Sequence, residues 1–470
     1  MSRRSEIILL SVLGLVVAAV AALGIGVRAT YGAQTTADEP QYLLSALSLW
    51  EDGNLDISDE LAEERYREFH EVELPTQTRA LEDGRRVSPH DPLLPLLLAV
   101  PMGLGGWMGA KAALALLGGG LAALTVWTAR HRLGVSSRTA LLTTAVFGLA
   151  PPLVIYSTQA YPEIPAALAL LAGFAAVVGP FQQSGRIVFA LAVIALPWLA
   201  VKYVPLAAVL AVAGLVKAGK GRRSSLVLTF ALASVAYIAG HLLIYKGLTA
   251  YATGDHFVGG EFTAVGNEVN LWGRSTRLIG LLVDRGFGIA AWQPAFFLLP
   301  LVAGWAMARR GSEFAVAGWL LAAGWLVATF VALTMHGWWF PGRQLVVVLP
   351  IAVLAVAAWV DEKPRIRTRW LAGLGILGVV AYGFLVAEGL SQQLTWVVDF
   401  GATANPVYQA LALVLPDYMA PTTLTWTMHG LWVALALVLV WRGWANGSFR
   451  RDEPRTESNR ETNQERVLTC

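Results

Sequence analysis

"TTADEPQYLLSALSLW" (residues 35–50) sets two adjacent acids, Asp38 and Glu39, and a proline between an apolar run and a leucine-rich segment. The run before it, Ile7 to Val27, follows Arg3 and Arg4. At roughly 20 residues it can cross a hydrocarbon core of about 30 Å. It is longer than the apolar region of a secretory signal, and "RATYGAQ" is a poor cleavage site, so it reads as a retained signal anchor. Pro40 fits the first turn of a helix, where a carboxylate favours the positive end. The helix "PQYLLSALSLWEDGN" then presents Tyr42, Leu43, Leu47 and Trp50 to an apolar surface and stops at Gly53. Such a helix lies at a membrane interface. The two acids are therefore either caps or chemistry placed at the mouth of a membrane span.

Composition supports the second setting. Of 470 residues, 56% are hydrophobic and 14% charged, against about 25% charged in soluble domains. The chain is a polytopic membrane protein, and nothing in it suggests a nucleic-acid partner. Cys470 is its single cysteine, which excludes an intrachain disulfide and any cysteine-based zinc or redox motif.

Further apolar segments follow at roughly 110–128, 139–157, 163–178, 187–201, 203–216, 225–245, 288–307, 314–334, 344–360, 370–388 and 424–441. Alternating their sides gives an all-α bundle of about twelve transmembrane helices with both termini on one face. Arg3/Arg4, "ARHRLGVSSR", Arg186, "KAGKGRRSS", "ARRGSE", "DEKPRIRTR" and "RGWANGSFRR" all fall on that face. The positive-inside rule makes it cytoplasmic, in the plasma membrane. The expected organisation is a transmembrane domain over 1–445 and a disordered cytoplasmic tail over 446–470. Residues 28–108 form a long first outer loop with juxtamembrane helices, and 246–287 and 389–423 form further outer loops. Between residues 38 and 91 fifteen acids stand against five bases, so this loop is acidic. "HDPLLPLLLAVPMGLGGW" (90–107) is punctuated by Pro and Gly and reads as lying along the outer interface rather than spanning. The short segments around "ALPWLAVKYVPLAAVL" (195–210) meet at Lys202 and leave room for a cavity.

A carboxylate at the outer end of the first span is well placed as a general base toward an acceptor hydroxyl. A leaving phosphate needs cations, and Lys202 and Arg343 stand on the same face. Glu163, between Pro162 and Pro165, begins the fourth span. His90 and Asp91 sit together before the proline-leucine segment, and either a helix cap or an acceptor contact fits them. His336, Trp338 and Trp339 precede Pro341, Gly342 and Arg343; the tryptophans also fit an aromatic belt. His70 among Glu68, Glu71 and Glu73 matches no standard ligand spacing, so no metal site is read from the sequence.

In order and spacing these segments resemble the GT-C glycosyltransferases that use polyprenyl-phosphate sugars. Those include the protein O-mannosyltransferases, the aminoarabinose transferases of lipid A and the actinobacterial mannosyl- and arabinosyltransferases. "ADEPQYLLSALSLWEDGNL" resembles their acidic motif after the first helix. "SPHDPLLPLLLAVPMGLGGWMGAKAALALLGG" resembles their interfacial segment, "YSTQAYPEIPAALALLA" a short outer turn with Tyr-x-Glu, and "MHGWWFPGRQLVVVLPIAVL" an aromatic-glycine-arginine segment. The resemblance covers roughly residues 7 to 360. It implies a GT-C-like fold and Asp38 as catalytic base with Glu39 beside it. It also implies Lys202, Arg343 and Tyr203 at the donor phosphate, and His90, Asp91, Glu163, His336 and Trp338 toward substrate. A lysine that some members carry before the proline-leucine segment is absent, and His90-Asp91 stand in its place. The implied activity is inverting transfer of a hexose or pentose from a polyprenyl monophosphate to an envelope glycan, lipid or protein hydroxyl. No cofactor is required beyond the lipid-linked donor, although a divalent cation is compatible. The alternative from another class is a lipid flippase or transporter, which predicts ionisable residues near mid-span.

Overall fold

The computed structural model describes residues 2–255, 270–397 and 399–448. The expected tail lies beyond them except for residues 446–448, which continue a helix, and part of the second outer loop lies beyond them too. Among the described residues the regular structure is helical, with only isolated β-bridges besides.

The chain opens with α1 (Arg3–Ala22), capped by the Ser2 side chain. A loop leads to α2 (Glu39–Glu51), with Pro40 in its first turn, and to the short α3 (Ser58–Ala62). Then α4 runs from Leu93 to Leu133 and bends at Gly106, whose φ of 58° suits a residue without Cβ. The proline-leucine segment is thus the first arm of α4, packed on α2, and continues into the bundle as one bent element. Next come α5 (Ser137–Gly148), the turn α6 (Leu153–Tyr156), α7 (Glu163–Val177) and α8 (Gln183–Leu199). A single 3₁₀ turn, Val201–Tyr203, joins α8 to α9 (Val204–Lys217) and carries Lys202, at the junction the sequence indicated. The long α10 (Lys220–Tyr245) follows.

Beyond the second outer loop lie the short α11 (Leu271–Ser275), α12 (Arg277–Val283) and α13 (Ile289–Trp292). The bundle is completed by α14 (Leu299–Met307), α15 (Ser312–Leu326), α16 (Leu349–Glu362), α17 (Pro364–Leu390), α18 (Pro406–Ala412) and α19 (Thr423–Ser448). The apolar segments read from the sequence overlap helix, though not one to one: 139–157 divides between α5 and α6, and 288–307 between α13 and α14. By length and composition, six of the described helical stretches can cross a membrane alone: Arg3–Ala22, Leu93–Leu133, Lys220–Thr253, Ser312–Val331, Pro364–Leu390 and Thr423–Ser448.

Two helix crossings rest on small residues. Gly14 of α1 meets Gly119 of α4, where a Cβ on Gly14 would lie 3.0 Å from the Gly119 carbonyl oxygen. On the far side, Gly304 of α14 meets the backbone at Val440 of α19, and Gly443 meets Leu301 in return. In hydrocarbon, where lipid tails are as apolar as leucine, such close backbone approach is what drives helices together.

The polar segments gather on one face. Trp396 N–H donates to the Arg28 carbonyl, Thr78 bridges to Gly254, and Arg285 pairs with Asp417 at 3.5 Å. The basic clusters meet elsewhere: Arg130 and His131 pair with Glu6, the Ser136 N–H donates to Asp361 at 3.0 Å, and Arg367 pairs with Glu362. The outer-loop segments thus contact one another, and so do several of the basic clusters.

Candidate active site

Asp38 stands at the N-terminus of α2, yet its side chain makes no capping hydrogen bond. It turns instead to Arg343, whose Nη2 donates to Oδ2 at 2.6 Å. Arg343 Nε donates to Glu163 Oε1 at 3.0 Å, and Lys202 Nζ donates to the same oxygen at 2.8 Å. Residues 38, 163, 202 and 343, from four separate segments, form one cluster of two carboxylates and two cations. Glu163 is 1% exposed and Asp38 28%, so Asp38 is the carboxylate that a solute can reach.

Local sequence explains each position. Glu163 is the first residue of α7, behind Pro162, which ends the preceding turn. Lys202 sits on the 3₁₀ turn between two helices too short to continue. Arg343 follows Gly342, whose φ of 86° is left-handed. A Cβ at Gly342 would lie 2.7 Å from Ile289 and 3.1 Å from Pro152, so glycine is required for conformation and for space. The guanidinium lies over the Tyr161 ring, 3.8 Å from its centroid, and 5.1 Å from that of Trp339. Tyr161 donates to the Thr36 carbonyl at 3.0 Å and Tyr156 to the Phe340 carbonyl at 2.5 Å, binding the segment before Arg343 and the loop before α2 to one turn.

Glu39 has a different surrounding. It is fully buried, and its carboxylate accepts the N–H groups of Ala160 at 2.8 Å and Thr36 at 3.3 Å. Lys111 of α4, also buried, donates to the Gln34 carbonyl at 2.6 Å and contributes positive charge near Glu39. Burial raises the Glu39 carboxyl above its ordinary range, while Lys111 and the two backbone donors pull it back. For Asp38 burial also works against ionisation, but Arg343, His90 and Lys202 outweigh it and hold this carboxyl well below the usual range.

His90 stacks on Tyr42 at 4.5 Å, with Nε2 4.0 Å from Asp38 Oδ1. Asp91 is buried and accepts from Val201 N–H (3.0 Å), Tyr237 hydroxyl (3.2 Å) and His241 Nε2 (2.8 Å). It therefore ties the Lys202 turn and α10 to the start of α4. The Tyr203 hydroxyl is buried beside Lys202, whose Nζ is 5.2 Å from the ring centroid. His336 lies apart from the cluster, 3.6 Å from Asp284 and edge-on to Phe287. Asp284 accepts N–H groups from Gly286, Phe287 and Tyr418, and Gln293 binds the Val146 and Gly375 carbonyls, so both hold backbone. Trp338 is exposed.

Sequence reasoning passed over Lys111, Tyr161 as a partner of Arg343, and His241. Lys111 did carry a signal: it is a cation inside an apolar span. An apolar groove between α8, α9 and α10, lined by Pro197, Trp198, Val204, Phe230 and Tyr237, opens next to the Lys202 turn.

No family model matches the chain, and no curated protein does. Solved structures do. ArnT from Cupriavidus metallidurans bound to undecaprenyl phosphate aligns over 95% of this chain and 76% of that one, with a TM-score of 0.53 at 15% identity. The apo state of ArnT aligns over 95% and 75%, with a TM-score of 0.53 at 17% identity. The described residues form a helical membrane fold similar to that of ArnT.

Proposed function

We propose that the chain is an inverting membrane glycosyltransferase. It takes a sugar from a polyprenyl monophosphate and passes it to an envelope hydroxyl on the extracytoplasmic side, with both termini in the cytoplasm. The observation that carries this reading is the cluster itself: a reachable carboxylate held beside two cations, next to an apolar groove. The acceptor oxygen attacks the anomeric carbon from the face opposite the phosphate. The bond from that carbon to the phosphate oxygen breaks, its electron pair leaves on the polyprenyl phosphate, and the hydroxyl proton passes to Asp38. Lys202 and Arg343 stabilise the charge arriving on the phosphate. The isoprenoid chain occupies the groove beside Lys202, and Tyr203 offers its hydroxyl to the phosphate. His90 and Trp338 are assigned to the acceptor side, with His336 further out. Undecaprenyl phosphate, held by ArnT in the structure to which this fold is similar, has the headgroup chemistry this reading requires.

The cluster also implies an order of events. Asp38 at rest shares Arg343 with Glu163, and an ion-paired carboxylate is a weak base. A phosphate arriving at Arg343 competes for the guanidinium and frees Asp38 to accept a proton. Glu39, committed to backbone N–H groups, keeps Asp38 turned outward. A phosphate is already a good leaving group, so the reaction needs no metal at the cluster, although a divalent cation is compatible with it.

The test is transfer of radiolabelled sugar from a panel of polyprenyl-phosphate donors to envelope extract by purified protein in lipid. Wild type transfers, and Asp38→Asn, folded to the same extent, loses about 10²- to 10⁴-fold. Equal transfer by both removes Asp38 as base. Lipid movement without transfer by wild type favours the flippase.

A further inference from the structure

We infer that the turn after α2 is a calcium site built from Asp52, Asp59 and Glu60. One carboxylate oxygen from each lies within 4.8 Å of the other two. Oxygens sharing a calcium ion at 2.3–2.6 Å are at most about 4.6–5.2 Å apart, so the three can converge on one ion with little movement.

Three acids near one another are common on surfaces; Glu60 is what sets this group apart. It is 2% exposed, and neither carboxylate oxygen has a hydrogen-bond donor among the described residues. Burying a carboxylate without a donor is costly, so the group calls for either a cation or a proton. The arginine nearby does not supply that cation, because Arg65 is engaged with Glu51 at 2.9 Å and with Glu68 at 3.6 Å. The end of α2 adds to the deficit. Its last turn has no basic residue, and Glu51 and Asp52 stand at the negative end of the helix dipole.

The turn is otherwise held in place. Ser48 Oγ donates to the Asn54 and Asp56 carbonyls at 3.2 and 2.8 Å, and Asp56 Oδ1 accepts from Ser58 and from the Arg86 N–H. Asn54 Oδ1 accepts the Asp56 N–H. Those side chains are used internally, which leaves Asp52, Asp59 and Glu60 facing one another.

Oxygen donors alone, with no imidazole or thiolate, select a hard cation, and the irregular arrangement favours calcium over magnesium, which demands near-octahedral geometry. Asp52 and Asp59 are exposed, placing affinity in the weak extracellular class, a Kd on the order of 10⁻⁴–10⁻³ M. The site is separate from the ion cluster and does not depend on the proposed reaction. Bound calcium clamps the C-terminal end of α2 onto α3, at the opposite end of the helix from Asp38.

The experiment uses full-length protein in lipid nanodiscs, titrated with Ca²⁺ and, separately, with Tb³⁺ excited through Trp50, two residues before Asp52. The expected result is saturable binding of one Ca²⁺ per chain with a Kd in that range, displacement of Tb³⁺ by Ca²⁺, and at least about tenfold weaker competition by Mg²⁺. Glu60→Gln and Asp59→Asn, checked for native helical content, each weaken Ca²⁺ binding by about tenfold or more. The inference is overturned by absence of saturable binding up to about 10 mM Ca²⁺, well above the weak class. It is also overturned by wild-type affinity in both folded variants. Stabilisation of wild type by lower pH but not by Ca²⁺ overturns it as well, because the counter-charge is then a proton shared by Asp59 and Glu60.

Discussion

Asp38 and Glu39 are neighbours of the same charge with opposite surroundings, one facing reachable space and two cations, the other sealed against backbone. A chain cannot announce this difference, because it depends on which way the first turn of α2 faces. For Asp38 the sign of the pH effect follows from its lowered carboxyl. Stability from a depressed carboxylate is complete above the unfolded value near 3.9 and is lost only as pH falls toward the folded value. The base therefore stays ionised from about pH 5 to 8. A pH–rate profile of kcat/KM is expected to show no acidic limb there, and one near pH 6 would count against Asp38 as base. Gly342 yields a second prediction. Alanine in its left-handed conformation costs roughly 1–2 kcal/mol, and its Cβ meets Ile289 and Pro152. Gly342→Ala should lower the thermal midpoint and reduce transfer by displacing Arg343, measured on protein in the same lipid. Arg343 and Lys202 were readable because cations on the acidic outer side run against the charge bias, and Glu163 because it opens a span between Pro162 and Pro165. Their pairing was not, since it joins positions about 180 and 305 residues apart in sequence.

Among elements, α10 and the start of α4 act together through Asp91. His241 Nε2 lies on that carboxylate and Nδ1 lies 2.8 Å from the Tyr237 carbonyl, both at full burial. Asp91 also receives the N–H of Val201, next to Lys202. Losing either partner should let the Lys202 turn shift. Asp91→Asn and His241→Asn are each expected to raise the donor KM by about three- to tenfold, with kcat less affected. In the double variant the effects should not add, as befits residues in one network. Full additivity would show that the two act separately. In the sequence His241 is one polar residue in an apolar helix, and Asp91 resembles a cap before proline. Neither names the other across 150 positions.

For the whole molecule, the apolar segments foretold a helical membrane fold, and six of the described helical stretches are long and apolar enough to cross alone. Hydropathy could not show that the 90–107 segment and the next span are one helix bent at Gly106. Nor could it show which glycines are crossings, because that depends on partners. Gly119 and Gly120 make the comparison: a Cβ on Gly119 runs into the Gly14 carbonyl, whereas one on Gly120 meets nothing within 4 Å. Gly119→Ala should lower the thermal midpoint in lipid. Gly120→Ala should leave it unchanged or raise it by the helix preference of alanine, up to about 1 kcal/mol. Equal loss from both would indicate that helix propensity rather than packing governs this stretch. Very little of α10 is buried inside the protein, yet two of its side chains, Tyr237 and His241, reach the carboxylate that steadies the Lys202 turn. An apolar helix so little packed answers to the thickness of the surrounding lipid, since a mismatch in length is relieved in part by tilting. The bilayer is thus mechanically in series with the site: thinning or thickening it tilts α10, and the tilt pulls on Asp91.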